Sequence, residues 1–273
     1  MKVLKLIFQF YVHSNLHVSL AAASLVLSSG FLFGFEVYSE AVFVMCATFV
    51  SYHFIRLMNR FKYGQPHLLD IFSNQYKIPI YILFLIAFTF GLCLSVKFEF
   101  FRLLYLCPFL ILTMLYAFSF IGKNGVRYSI RFIPGIKIFV IAIVWAGSVI
   151  FFPITSSIGY NHTQLVFFFG LVFFIIVLTL PFDIRDMSFD ENTIKTLPML
   201  LGIVGVKCLG FILLVFSLAL HFYVFEWFCI TEYSIVCSML FVLLVFSKRE
   251  QTKFFASFWV ESIPIFYYAL LCL

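Results

Sequence analysis

Nine long apolar stretches dominate this chain, and each has about the 20 residues that an α-helix needs to cross the hydrocarbon core of a bilayer. Backbone N–H and C=O groups find no water in that core, so a segment that crosses it satisfies them internally by forming a helix. The predicted spans are residues 10–32, 36–57, 78–96, 101–121, 132–152, 162–182, 197–220, 223–246 and 254–273. The sequence therefore predicts an all-α, polytopic membrane protein, a bundle of about nine transmembrane helices.

The composition excludes an ordinary water-soluble domain. Hydrophobic residues make up 64% of the 273 residues and charged residues only 11%, against roughly 25% charged residues in a soluble domain. The seven cysteines are scattered through apolar stretches without a C-x-x-C pair, which argues against a disulfide framework or a zinc site. We expect residues 1–273 to form a single membrane domain, with the opening MKVLKLIFQF leading into the first span.

Basic residues lie mainly on one side of the predicted bundle. Fourteen of the 18 lysines and arginines fall on the amino-terminal side, and only Lys97 and Arg102 fall on the other. Because short cytoplasmic loops retain Lys and Arg, this asymmetry predicts a cytoplasmic amino terminus and a carboxyl terminus across the membrane, in a bacterial inner membrane. The bases are not interleaved with exposed aromatic residues, so we expect membrane lipids and no nucleic acid as partners.

The segment PFDIRDMSFDENTIKTLP, residues 181–198, gathers three aspartates at the predicted cytoplasmic edge of the sixth span. Asp183, Asp186 and Asp190 are spaced so that they share one face of a helix continuing out of that span. Like charges on one face repel, and a hard divalent cation such as Mg²⁺ prefers carboxylate oxygens. Two interpretations follow: a magnesium site, or a solvated loop whose acids cap the next helix beside Arg185 and Lys195.

The surroundings of these acids carry a family resemblance. The pattern D-x-x-D-x-x-x-D is followed by KTLP at residues 195–198 and by LG at 201–202; upstream lie Tyr116 and RFIPGIKIFVIAIVWAG at residues 131–147. This order resembles the second aspartate-rich motif, the basic loop and the fifth span of the UbiA superfamily of intramembrane prenyltransferases. The resemblance covers essentially the whole chain and is strongest at residues 110–205.

Membership of that family would imply a helical bundle with a lateral cavity that opens to lipid. Its members transfer an isoprenyl chain from a diphosphate to a lipid-soluble acceptor, and aspartate-rich loops hold Mg²⁺ against the diphosphate. The resemblance therefore implies Mg²⁺ as cofactor and an isoprenyl diphosphate with a lipid-soluble acceptor as partners. The predicted metal ligands are Asp183, Asp186 and Asp190. The predicted diphosphate-binding residues are Lys195, Arg56, Arg60, Lys123, Arg127, Arg131 and Lys137.

The first aspartate-rich motif of that family is missing. Its place at the end of the second span reads YHFIRLMNRFKYGQPHLLD, residues 52–70, where Asp70 is the only acid. Arg56 and Arg60 stand one helical turn apart, and guanidinium groups bind phosphate without a metal. Either these arginines substitute for the lost carboxylates, or they anchor the second span among lipid headgroups and the site is inactive.

The sequence thus leaves two functions open: an intramembrane prenyltransferase, or a non-catalytic descendant that serves as a lipid-binding or scaffold subunit. A solute transporter is weaker, because no pair of broken midplane helices is evident. Lys137 either points into the cavity or snorkels to the headgroups. Lys207 and Glu261 lie deeper in their spans, where ionisable groups usually face the protein interior and often pair, so a contact between the two is one interpretation. His13, Asn15 and His17 either line a cavity entrance or form interhelical hydrogen bonds.

Overall fold

The computed structural model describes residues 2–60, 75–118, 120–121, 127–128, 130, 133–154, 161–190 and 195–273. At residues 2, 58–60, 120–121, 127–128 and 188–190 it describes the backbone alone. Eleven α-helices and one π-helix account for nearly all of these residues. The α-helices are α1 Lys2–His13, α2 Leu16–Phe33, α3 Tyr38–Arg60, α4 Lys77–Ser95, α5 Phe100–Leu104, α6 Cys107–Ala117, α7 Ile136–Ile150, α8 His162–Asp190, α9 Leu197–Phe225, α10 Ile230–Phe246 and α11 Ile263–Leu271. The π-helix is Phe255–Val260, and a two-residue antiparallel pairing joins β1 Phe120–Ile121 to β2 Arg127–Tyr128.

The prediction of a helical chain with several membrane-spanning segments agrees with this architecture. Within the described residues, six helical segments are long and apolar enough to cross a bilayer: Leu16–Phe33, Tyr38–Leu57, Lys77–Ser95, Phe100–Ala117, His162–Met187 and Leu197–Phe225. The other three predicted spans coincide with shorter apolar helices at Ile136–Ile150, Ile230–Phe246 and Phe255–Leu271.

Helices α2 and α8 form the centre of the bundle. Of the apolar window His162–Met187 in α8, 67% is buried inside the protein, against 17% for α4. Phe174, Ile175 and Leu180 of α8 are fully buried because α7 and α9 pack against that helix. Helix α4 instead exposes Ile78 and Tyr81, as a helix that faces lipid does.

The first predicted span, residues 10–32, is not one continuous helix. Asn15 adopts a left-handed conformation with φ 68°, so α1 ends at His13 and α2 begins at Leu16. Asparagine tolerates this conformation better than most residues. Its side-chain Oδ1 accepts a 2.9 Å hydrogen bond from Arg56 Nη2 of α3, which ties the break to the rest of the bundle.

Helix α8 continues without a break through Pro181 to Asp190. Proline lacks an N–H, so the carbonyl of residue 177, one turn back, loses its usual helical donor and a kink is expected at this turn. Gln251 Nε2 donates to the Pro181 carbonyl at 3.0 Å, which joins this turn to the chain just before the last helices. The acidic segment therefore begins as helix, as its spacing predicts, and not as a loop at Asp183.

The turn between α2 and α3 provides a test of close packing. Gly34 ends α2 at φ 71°, and Phe35 N–H donates to the Gly30 carbonyl at 2.8 Å. A Cβ at Gly30 would collide with Val37 and would lie 2.9 Å from the Phe35 carbonyl oxygen, which is backbone and yields little.

We expect Gly30→Ala to destabilise the protein by about 1–3 kcal/mol, because it overpacks this turn. Gly91→Ala is the matched control, since its Cβ would meet only Cys46 at 3.5 Å. Thermal unfolding of the purified proteins in detergent would measure both. Equal melting temperatures for the two variants would contradict the packing described.

Candidate functional site

A cavity of about 160 Å³ lies between α2, α3, α7, α8 and the last helical segment. Its wall follows α7 from Lys137 to Trp145 and α8 from Ile175 to Asp186. The complete lining is Val18, Tyr52, Lys137, Ile141, Trp145, Ile175, Leu178, Thr179, Phe182, Asp183, Asp186 and Glu261. The charged residues of α7 and α8 lie at one end of the cavity and the aliphatic residues extend away from them, so the cavity is amphipathic.

Lys137 and Asp183 form a buried ion pair at the polar end. Lys137 Nζ lies 2.9 Å from Asp183 Oδ1, and their side chains are only 19% and 4% exposed. Lys137 stands in the first turn of α7, two residues after Gly135, which has the left-handed conformation. Lys137 therefore points into the cavity, and the alternative that it snorkels to the headgroups is wrong. Removing two charges from water is costly, so the pair depends on its short distance.

Asp186 is paired with its neighbour along the chain. Arg185 Nε donates to Asp186 Oδ1 at 2.8 Å, and Arg185 Nη1 donates to Ser257 Oγ of the π-helix at 3.0 Å. The guanidinium also lies over the Phe182 ring, 5.2 Å from its centroid. Arg185 is thus a local partner of Asp186, as the sequence suggested, and it joins α8 to the π-helix.

Asp183 and Asp186 line the same cavity, as their spacing on one helical face predicts. The side chain of Asp190, the third predicted metal ligand, lies outside the described residues. The residues that the structure describes contain no group of three His, Cys, Asp or Glu side chains able to hold a metal ion. The two carboxylates are nevertheless the donors that Mg²⁺ prefers, and Mg²⁺ often completes its coordination with water and substrate phosphate. The magnesium site remains a prediction.

The structure brings only part of the predicted diphosphate-binding set to the cavity. Lys137 lines it, whereas Arg56 donates to Asn15 Oδ1 at 2.9 Å and lies close to the His13 carbonyl. Lys195 has an exposed side chain, and its carbonyl accepts a 2.8 Å hydrogen bond from Gly135 N–H. The remaining predicted side chains, Arg60, Lys123, Arg127 and Arg131, lie outside the described residues.

Asn15 and His17, near the start of the first span, take part in interhelical hydrogen bonds. Asn15 Nδ2 lies 3.4 Å from His53 Nδ1, besides accepting from Arg56. His17 Nδ1 lies 2.8 Å from the Tyr11 hydroxyl, and its Nε2 lies 3.1 Å from the Phe258 carbonyl oxygen. His17 thereby joins α1 and α2 to the π-helix.

Sequence reasoning missed Glu261 as a cavity residue. It considered a contact with Lys207, but Lys207 Nζ donates to the Val245 carbonyl at 2.6 Å and Glu261 lines the cavity. The available signal was an acid within an apolar span, because such a residue usually faces the protein interior. Tyr52 and Trp145 were also missed, since aromatic residues in spans are too common to single out.

A second depression, an open groove of about 520 Å³, runs beside Gly202 of α9. Gly202 has φ 74° and ψ 162°, a conformation outside the helical range that only glycine adopts readily. Among the described residues that line the groove, Arg249 is the only charged one. The groove therefore offers little polar chemistry compared with the smaller cavity.

Formal charges at the small cavity do not cancel. Among the described residues, Asp183, Asp186 and Glu261 supply three acidic side chains, whereas Lys137 and Arg185 supply two basic ones. Because the acids outnumber the bases, an anionic ligand would need an additional cation to bind here.

Comparisons with protein family models, with curated proteins and with solved structures find no match to this chain.

Replacing Lys137 tests whether the ion pair holds α7 against α8. We expect Lys137→Met to lower stability by about 3–5 kcal/mol, because it leaves Asp183 charged and without its lysine in a buried site. The double variant Lys137→Met/Asp183→Leu should recover most of that loss, since it removes both charges. Thermal unfolding in detergent would distinguish these outcomes. A double variant no more stable than Lys137→Met would contradict the coupling.

Proposed function

We propose that this chain is a UbiA-like intramembrane prenyltransferase. It binds the diphosphate of an isoprenyl diphosphate at the polar end of the cavity and transfers the isoprenyl chain to a lipid-soluble acceptor. The observation that carries the proposal is the position of Asp183 and Asp186. Both acids of the D-x-x-D pattern line one cavity with Lys137, and its other walls are mostly apolar.

The shape of the cavity suits a molecule with a charged head and a hydrocarbon tail. The lining stretch of α8 from residue 175 to 186 is about 16 Å long at 1.5 Å per residue. Ile141, Ile175 and Leu178 would contact the start of the tail, and the acids and Lys137 would contact the head. A volume of about 160 Å³ is below the 300–1,000 Å³ of a typical ligand pocket. The rest of the tail would therefore extend between helices, through the lateral opening that the family implies.

Binding of a diphosphate at this cavity would depend on Mg²⁺. Asp183 and Asp186 would hold the ion, which would neutralise charge that builds on the departing diphosphate. Lys137 would add a further positive charge at the same end of the cavity. The apolar wall would keep water away from the allylic carbon as the bond to oxygen breaks.

A second function, a non-catalytic lipid-binding or scaffold subunit, is favoured by the use of Arg56. In the described residues its guanidinium bonds the α1–α2 break at Asn15, which is a structural contact. Asp183 and Asp186 are likewise each paired with a base. A descendant that lost the first motif could retain these contacts for the fold alone.

The proposed arrangement has nine spans, including the three shorter apolar helices. It places the amino terminus in the cytoplasm of a bacterial cell and the carboxyl end across the inner membrane. We expect a fluorescent-protein fusion after Arg249 to fluoresce, because that segment is cytoplasmic in this topology. Alkaline phosphatase fused after Leu273 should be active, because it requires export. Phosphatase activity at the first position but not at the second would reverse the orientation.

The activity itself is tested with purified protein, a radiolabelled long-chain prenyl diphosphate and a panel of aromatic acceptors. We expect binding that requires Mg²⁺ and falls at least tenfold in Asp186→Asn, because one carboxylate for the ion is lost. The exposed Glu36, in the α2–α3 turn, provides the control Glu36→Gln, which should bind like the parent.

Release of diphosphate upon addition of an acceptor separates the two functions. Prenyltransferase activity predicts release that depends on Mg²⁺ and on the acceptor. Binding without release would support the lipid-binding subunit. Absence of prenyl diphosphate binding, with or without Mg²⁺, would contradict the proposed function.

A further inference from the structure

Glu261 is set into the cavity by an irregular turn of the last helical segment. The π-helix Phe255–Val260 immediately precedes it, and Glu261 N–H donates to the Ala256 carbonyl, five residues back, at 3.2 Å. Single π-helical turns are rare and occur frequently at functional sites. The acid therefore lies at a break in regular helix and not at an arbitrary position along it.

His17 of α2 holds that turn. Its Nε2 lies 3.1 Å from the Phe258 carbonyl oxygen, and its ring stacks on the Phe258 ring with centroids 4.9 Å apart. Ser262, the residue after Glu261, also donates its hydroxyl to the Phe258 carbonyl at 2.6 Å. These contacts fix the turn on both sides of Glu261 against the centre of the bundle.

Glu261 differs from the other charged groups that line the cavity. Lys137 pairs with Asp183, and Asp186 pairs with Arg185. Among the described residues, the Glu261 carboxylate has neither an ion pair nor a hydrogen bond, although Arg185 and Tyr52 are near enough to interact electrostatically. An ionisable residue within a span is costly, and such residues generally serve function.

The proposed transfer needs a group of this kind. An acceptor that gains a prenyl group at a ring carbon or a hydroxyl oxygen must lose the proton bound to that atom. A positioned carboxylate that receives such a proton contributes about 10²–10⁴-fold in rate. Asp183 and Asp186 are instead each paired with a base, Lys137 and Arg185 respectively.

We propose that Glu261 accepts the proton that the acceptor loses during transfer, an inference that rests on the proposed function. The bond between the allylic carbon and the diphosphate oxygen breaks, and its electron pair leaves with the diphosphate. The acceptor atom forms a bond to that carbon, and the proton of the acceptor atom passes to a Glu261 carboxylate oxygen. Charge and atoms balance without any oxidant or reductant.

Glu261→Gln separates this role from ligand binding, because it keeps the shape of the side chain and removes the basic oxygen. We expect diphosphate release with an aromatic acceptor to fall at least 100-fold. Prenyl diphosphate binding with Mg²⁺ should stay within threefold of the parent or become tighter, since one negative charge is gone. Glu261→Asp should restore part of the transfer rate, and the exposed control Glu36→Gln should change neither measurement.

The outcomes against the inference are distinct. Transfer by Glu261→Gln at the parent rate would overturn it and leave the proposed function intact. Prenyl diphosphate binding by the parent protein without transfer to any acceptor would also overturn it, because no proton would then be lost. Failure of the parent protein to bind prenyl diphosphate would overturn the proposed function and this inference together.

Discussion

The ion pair between Lys137 and Asp183 sets the arrangement of the polar end of this protein. It joins the first turn of α7 to the last turns of α8 at a distance of 2.9 Å, in a place where both side chains are largely buried. The Gly135 N–H, two residues before Lys137, bonds the Lys195 carbonyl just before α9. Three helices thus meet at one point, and Asp186 is placed on the cavity wall one turn beyond Asp183. Separating the pair would leave a buried charge and would free the helix ends that form the site.

Two departures from regular α-helix and one proline within a helix lie close to the same cavity. Asn15 separates two helices one turn before Val18. Pro181 lacks a backbone N–H two residues before Asp183, and the π-helix ends immediately before Glu261. Each is supported by a polar side chain from elsewhere in the bundle. Those side chains are Arg56 at Asn15, Gln251 at Pro181 and His17 at the π-helix. In a membrane, irregular backbone is tolerated where protein satisfies it, so the irregularities and the cavity form one structural unit.

Much of this architecture follows from patterns in the sequence. Apolar stretches predicted the helices, and the spacing of Asp183 and Asp186 predicted their common face. Arg185 was also expected beside the acids. The polar residues at positions 13–17 interrupt the apolar stretch. The break at Asn15 was nevertheless not predicted, because it is tertiary contact with α3 that favours it. Glu261 was recognised as a deep acid, but its direction depends on the π-turn, which leaves no periodic signal in a segment that is apolar on nearly every face.

The central claim is that the polar end of the cavity receives the diphosphate of a prenyl lipid. A density map of the purified protein, obtained with Mg²⁺ and a non-hydrolysable prenyl diphosphate analogue, tests it most directly. The account predicts density for the diphosphate beside Asp186 and Lys137, with the first isoprene unit against Ile141 and Leu178. Density for the analogue only on the lipid-facing surface, with the Lys137–Asp183 cavity unchanged, would contradict it.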